Sequence, residues 1–256
     1  MVENRLVPWF CGLLLSWLCL PLATFAEEII NHPGKIPLIY YGEFSREPPL
    51  PPLQKVKVDS KYFYVYPGVV VPSVQSVFLL EHTDIFPGEA VLDIGTGTGV
   101  QAIFAAEKAS RVVATDLGAE SVASTRFNVR GHRLQDKIDV RQGDLFGPIR
   151  KDERFDVIIM NIDYPVDDPD SPLWEVHERF FREVGKYLTP GGRIYYQSGL
   201  IGNVARVAEM LRKNQLITME MTLVTNLVHQ RQPIVYLIQR EADARKSVAG
   251  KGNIKQ

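Results

Sequence analysis

The residues whose types and spacing could do chemistry fall in four short stretches. The first runs over 91–99 as Val91-Leu92-Asp93-Ile94-Gly95-Thr96-Gly97-Thr98-Gly99. Its apolar start reads as a buried strand, and a helical pattern begins at Val100. A strand that ends in glycines and feeds a helix lets a ligand approach the backbone closely and aims free N–H groups at it. That is nucleotide-type binding, but the spacing is neither the G-x-G-x-x-G of dinucleotide folds nor a P-loop, since no Lys follows. The second stretch is Arg111 to Asp116, a strand ending in an acid. Asp116 lies about twenty residues beyond the glycines, where a carboxylate can take both hydroxyls of a ribose. The third is Gly143-Asp144-Leu145-Phe146 and the fourth is Asn161-Ile162-Asp163-Tyr164-Pro165. In the fourth, Asp163 could accept a proton from a hydroxyl or amine. Asp167, Asp168 and Asp170 follow it, either as a solvated acidic loop or as oxygen ligands for Mg²⁺ or Ca²⁺. The five histidines show no metal spacing.

These stretches need elements to place them, and the pattern supplies strands followed by helices. Ala90 to Ile94, Arg111 to Asp116, Lys137 to Arg141, Phe155 to Met160 and Arg193 to Gln197 read as five core strands. Helical spacing follows the first, second, fourth and fifth, over about 100–108, 119–130, 173–188 and 202–214. Residues 217–224 and 234–240 read as a terminal antiparallel pair. Tyr62-Phe63-Tyr64-Val65-Tyr66 reads as a further strand, with Val69-Val70-Val71 as its partner across a Pro67-Gly68 turn. Ser73 is the expected N-cap of the next helix. The fold class is therefore α/β, a doubly wound Rossmann-like sheet with an antiparallel terminal strand pair. In such sheets the ligand sits beyond the carboxyl ends of the strands, which puts residues 161–165 beside the glycine loop.

The D-x-G-x-G-x-G run, followed in order by Asp116, Gly143-Asp144-Leu145-Phe146 and Asn161–Pro165, resembles the class I S-adenosylmethionine-dependent methyltransferases. Val70-Val71-Pro72 and Phe155-Asp156-Val157-Ile158 bring the resemblance closest to the methyltransferase "small" domain group, which includes the release-factor glutamine methyltransferases and several RNA guanine methyltransferases. The resemblance covers about residues 62–240. It implies S-adenosyl-L-methionine as cofactor, held by Asp93, Gly95, Thr96, Gly97, Gly99, Asp116, Asp144, Leu145 and Asn161. Asp93 would orient the loop, Asp144 would reach the adenine amino group, and Leu145 would pack on the ring. Residues 161–165 look like the family's Asn-Pro-Pro-Tyr motif, with Ile162 and Asp163 in place of both prolines. By this match the catalytic positions are Asn161, gripping an –NH2 group, and Tyr164, stacking on a flat amide or base, with Asp163 between them. The implied activity is methyl transfer to an amino or amide nitrogen of a protein, RNA or small molecule. The alternatives are a non-catalytic cofactor-binding module or an O-methyltransferase using the acidic loop. A nicotinamide-dependent oxidoreductase is disfavoured by the evenly spaced glycines.

The remaining chain bounds the setting. The 256 residues carry 29 basic and 30 acidic side chains, so the net charge of −1 exerts no global attraction on nucleic acid and leaves room only for a local basic patch. DNA is not an expected partner. Residues 6–26 carry no charge and read as a signal peptide or a membrane anchor, preceded by Arg5 and followed by Glu27-Glu28. This makes the chain exported or membrane-associated, against which stands a cofactor made in the cytosol. Both cysteines, Cys11 and Cys19, lie in that segment, so the folded part has no thiol chemistry. The expected domains are 1–26 as this segment, 27–60 as an extended Pro-rich linker, 61–240 as the methyltransferase domain, and 241–256 as a flexible basic tail.

Overall fold

The structure is a computed structural model and describes residues 39–45, 53–163, 168, 170–198, 203–223 and 233–252. Residues 6–26 lie outside these. Among the described residues no helix is long and apolar enough to cross a membrane.

The chain first builds a small antiparallel sheet of β1 (Ile39–Ser45), β2 (Leu53–Val58) and β3 (Lys61–Val65), in that spatial order. Period-two alternation decides its faces. Val56, Val58, Phe63 and Val65 are buried, while Lys55, Lys57, Tyr62 and Tyr64 stand on the opposite side. Two corrections to the sequence reading follow. Residues 27–60 are not wholly an extended linker, because β1 and β2 fall inside them and β2 pairs with β3 along its length. The partner of β3 is therefore β2 and not 69–71, which forms no strand. Val69 N–H instead donates to the Tyr66 carbonyl at 3.0 Å, closing the Pro67-Gly68 turn, and Val69 enters the core while Val70 points out. Ser73 then caps α1 (Val74–Glu81) in extended backbone, its N–H donating to the Ser76 hydroxyl at 3.3 Å.

The main sheet follows. It contains β4 (Ala90–Ile94), β5 (Arg111–Asp116), β6 (Ile138–Gln142), β7 (Phe155–Met160), β8 (Leu188–Ser198), β9 (Leu216–Leu223) and β10 (Ile234–Arg240). Their spatial order is β6-β5-β4-β7-β8-β10-β9. The first five are mutually parallel, and β10 runs antiparallel to both β8 and β9. The connecting helices are α2 (Val100–Ala105), α3 (Ala119–Gly131), α4 (Leu173–Val184) and α5 (Val204–Lys213). A last helix, α6 (Glu241–Gly252), occupies most of what the composition suggested was a flexible tail.

The central strands are apolar on both sides because both faces are covered. On one face Val91, Ala114 and Ile159 pack against α1, α2, α3 and the inner side of β2 and β3. On the other, Leu92, Ile158 and Tyr196 pack against Trp174, Phe180 and Phe181 of α4 and Met210 and Leu211 of α5. Each such side chain, fully buried, contributes on the order of 1.5–3 kcal/mol. Two buried layers thus clamp the strands, and their carboxyl ends are held along one edge.

Candidate cofactor and acceptor site

Register fixes what meets along that edge. Asp116 pairs with Gln142, so Gly143 and Asp144 follow β6 beside the end of β5. Ile94 pairs with Met160, so Asn161 emerges level with Gly95. Met160 pairs with Tyr196, which places Gln197 beside Asn161 in turn. The edge therefore carries Asp144, Asp116, the glycine loop, Asn161 and Gln197 in lateral order.

The glycine loop needs its glycines for three separate reasons. Gly95, Gly97 and Gly99 have φ values of 74°, 56° and 84°, which side-chain-bearing residues rarely adopt. At Gly95 an added Cβ would lie 2.0 Å from Ile162 Cγ2, so the loop and the segment after β7 are in direct contact. At Gly99 a Cβ would press on Thr125 Cγ2 at 3.0 Å. At Gly97 nothing stands within 4 Å of such a Cβ, so the loop backbone there faces open space. An exposed backbone between a carboxylate and a strand end fits a cofactor lying along it.

The loop is held by side chains below it. Asp93 is buried, and its Oδ2 accepts from Thr96 Oγ1 at 2.6 Å, which closes the strand into the first turn. Burial drives the Asp93 carboxyl up to about 7; the Thr96 hydroxyl and the Ala102 N–H oppose this, and nearby Asp116 adds to it. The N–H groups of Gly95 and Thr96 both donate to the Thr115 carbonyl, at 2.9 and 3.0 Å. Thr125 Oγ1 donates to the Gly97 carbonyl at 2.8 Å. Asp116 accepts from Gly97 N–H through Oδ2 and from Gly118 N–H through Oδ1, both at 2.9 Å. Each oxygen retains a lone pair, so the carboxylate is fixed in place and still able to accept from a ligand hydroxyl.

Asp144 follows β6 as expected, but its carboxylate accepts from Arg179 of α4 in an ion pair. Any approach of an adenine amino group to Asp144 shares that carboxylate with Arg179. Leu145 is buried with φ of 45°, and Phe146 lies against Tyr187 in a parallel stack 4.6 Å apart.

Of the three expected catalytic positions, Asn161 is half-buried beside Gly95 and Asp163 is exposed. Tyr164 lies outside the described residues. The Asp163 main chain is pinned by residues that sequence reasoning missed. His177 Nε2 lies 3.0 Å from the Asp163 carbonyl, and His177 Nδ1 lies 3.0 Å from Tyr196 Oη. A carbonyl can only accept, so Nε2 carries the proton, Nδ1 is bare, and Tyr196 donates to it. Burial lowers the His177 pKa to about 4, so the ring is neutral. The only local signal was a histidine on the apolar side of a helix.

Gln197 was missed as well. It is 1% exposed, and among the described residues neither Nε2 nor Oε1 has a partner; the neighbouring Ser198 Oγ is likewise unpartnered among them. Buried orphan amides are uncommon and mark a place where a ligand or water completes the bonding. Among the described residues no group of three or more His, Cys, Asp or Glu side chains converges on a metal position. Asp168 and Asp170 are exposed, and Asp167 is outside the described residues.

Comparison with known proteins converges on one family. Its profile, the methyltransferase small domain, matches residues 73–216. The ribosomal protein L11 methyltransferase of Listeria innocua is 33% identical over 135 residues, covering 52% of this chain and 39% of that protein. The enzyme of the same name from Carboxydothermus hydrogenoformans is 35% identical over 178 residues, covering 67% of this chain and 53% of that protein. This chain therefore spans only about two fifths to a half of such relatives. Among solved structures, a ribosomal protein L11 methylase from Lactobacillus delbrueckii superposes with a TM-score of 0.55 at 20% identity, covering 68% of this chain and 83% of that one. A tRNA m1G37 methyltransferase from M. jannaschii gives 0.58 at 17% identity, over 73% and 54%. At those identities the structures establish the fold, a class I methyltransferase sheet. With its glycine loop and the segment after β7 inside the matched region, the chain belongs to the methyltransferase small-domain family.

Proposed function

We propose that this chain is an S-adenosyl-L-methionine-dependent methyltransferase acting on an amino or amide nitrogen, with a protein as the favoured acceptor. The observation that supports the reading is the register Ile94–Met160, from which Asn161 follows β7 as Gly95 follows β4. When bound, the cofactor supplies a sulfonium methyl already activated for in-line displacement. The protein's task is then alignment. The loop amides and Asp116 hold the nucleoside end, and the side-chain oxygen of Asn161 accepts from an –NH2 group so that its lone pair is turned to the methyl. Gln197, one strand away, has a buried carboxamide that is unpartnered among the described residues and would supply a second polar contact only where the acceptor reaches below the strand ends. The relatives' names specify a ribosomal protein, which supports a protein acceptor over a small molecule. An oxygen acceptor gains no support from Asp163, whose side chain is exposed.

Two measurements test this. Calorimetric titration with S-adenosylhomocysteine should show binding that Asp116→Ala weakens at least tenfold. Incubation of cell fractions with tritiated cofactor should then give label that is lost on protease digestion, survives nuclease, and resists alkali as N-methyl groups do. Alkali-labile label would refute the nitrogen assignment. A folded chain that binds no S-adenosylhomocysteine would refute the methyltransferase reading itself.

A further inference from the structure

The outer face of β2 and β3 sets lysines against tyrosines. Cross-strand register sets Lys55 opposite Tyr64 and Lys57 opposite Tyr62. Lys55 Nζ stands 4.2 Å from the centre of the Tyr62 ring and 5.9 Å from that of Tyr64, and Lys57 Nζ stands 5.9 Å from Tyr62. Tyr62 is 45% exposed. Tyr64 meets Phe127 edge-on at 5.3 Å. These rings and His132 line a cavity of about 360 Å³ at the edge of the face.

Among the described residues no carboxylate pairs with Lys55 or Lys57. Glu107 pairs with Lys61 at 2.8 Å, and Asp59 accepts from Ser60 at 3.1 Å. In a chain of net charge −1 this is a local concentration of cations over exposed aromatic faces. Rings that accept stacking, alternating with cations that accept phosphate, are the two components that bind single strands without reading sequence. His132 adds a third. Its Nε2 donates to the Tyr62 carbonyl at 2.8 Å, and in the tautomer protonated only at Nε2 the other ring nitrogen, Nδ1, is an acceptor suited to a ribose 2′-hydroxyl.

We infer that the face formed by Lys55, Lys57, Tyr62, Tyr64 and Phe127 binds single-stranded RNA, with the cavity at His132 receiving one nucleotide. This goes beyond the methyl-transfer reading and does not depend on it. Its strands β2 and β3 lie before the matched family region, which begins at residue 73, while Phe127 and His132 lie within it.

The test is fluorescence anisotropy on the full-length chain in a non-ionic detergent, with a fluorescein-labelled 12-nucleotide RNA of mixed sequence. The same RNA as a duplex and the matching single-stranded DNA are the comparison probes. Single-stranded RNA should bind more tightly than either. Tyr62→Ala should weaken binding about tenfold or more, the scale of one lost base stack. Lys55→Gln with Lys57→Gln should lower the slope of log affinity against log salt by about 1.4, at 0.7 per phosphate contact. Circular dichroism and the melting midpoint of each variant establish that it is folded. Absence of binding at 50 mM salt, equal binding to duplex, or folded variants that bind as the parent does would each overturn the inference. DNA bound as well as RNA would overturn the choice of RNA.

Discussion

Two buried titratable groups flank the loop after β7 and give stability opposite pH dependences. Asp93 is raised from its ordinary 3.8 to about 7, and His177 is lowered from 6.5 to about 4. For Asp93 the folded state holds its proton more tightly than the unfolded chain. Its stabilising contribution is complete below pH 3.8 and is lost as pH rises through 7. For His177 the folded state holds its proton less tightly. Its contribution is complete above pH 6.5 and is lost as pH falls through 4. At 1.36 kcal/mol per pKa unit these amount to about 4 and about 3 kcal/mol. Between pH 4 and 6.5 the two slopes nearly cancel in the parent protein, so each variant should unmask the other group. Urea unfolding at pH 4.5, 5.5, 6.5 and 7.5 gives the measurement. His177→Gln, which keeps a donor in place of Nε2, should become less stable with rising pH relative to the parent, by about 2.5 kcal/mol over the range. Asp93→Asn should move the other way by about 3 kcal/mol over the same range. Titration of the His177 ring by NMR in the parent provides the direct reading, with a midpoint near 4. A midpoint near 6.5, or variant-minus-parent differences that are flat or of one sign, would refute the burial argument for both groups.

Other substitutions probe the same frame. Gly95→Ala places a Cβ 2.0 Å from Ile162 Cγ2 and should abolish S-adenosylhomocysteine binding; adding Ile162→Ala removes the clash but not the strain of φ 74°, so calorimetry should show partial recovery. Glu153 is 4% exposed and accepts from Arg141 at 2.7 and 3.0 Å and from Arg150 N–H at 2.9 Å, which holds its carboxyl down at about 2. Glu153→Gln should lower the unfolding free energy by about 2 kcal/mol at pH 7, because Arg141 loses its buried charge partner and keeps only the exposed Asp139 at 2.7 Å; a loss under 1 kcal/mol would contradict this. Arg179→Ala frees the Asp144 carboxylate and should change S-adenosylhomocysteine affinity while leaving the melting midpoint within about 2 °C, as expected for an exposed ion pair.

What the sequence could show depended on whether the cause was local. The glycine loop was legible because its backbone conformation excludes other residues, and Asp116 because a strand end and a fixed distance locate it. The order of strands and helices was legible because period two and period 3.6 are written into each segment. The pairing of β3 with β2 was not, because β2 sits beside a proline run and its Lys55-Val56-Lys57 alternation is short. Tyr196, His177 and Asp163 form one chain of hydrogen bonds across two elements and a loop, and Arg179 reaches Asp144 across 35 positions. Such contacts leave no periodicity. Gln197 was hidden for a related reason, since a polar residue closing a strand looks like an exposed end until packing shows it buried.

Asn128 of α3 explains why the first sheet belongs to the site rather than being an attachment to it. Its carboxamide is 2% exposed and makes three bonds: Oδ1 accepts from Tyr64 N–H at 2.7 Å, and Nδ2 donates to the carbonyls of Tyr64 and Thr98, both at 2.9 Å. Ser124 of the same helix donates to the Tyr64 carbonyl at 2.8 Å. One buried amide therefore joins β3, α3 and the middle of the glycine loop. A buried polar group with its partners satisfied fixes geometry strongly, because every alternative leaves it unbonded. Yet β3 lies before the matched family region, whereas the glycine loop and Asn128 lie within it. The shared core thus takes part of its loop geometry from a strand outside that region, and the same strand carries Tyr62 and Tyr64 on its outer face. A macromolecule bound to that face would contact an element tied to the glycine loop through Asn128, so binding there should perturb the loop's geometry.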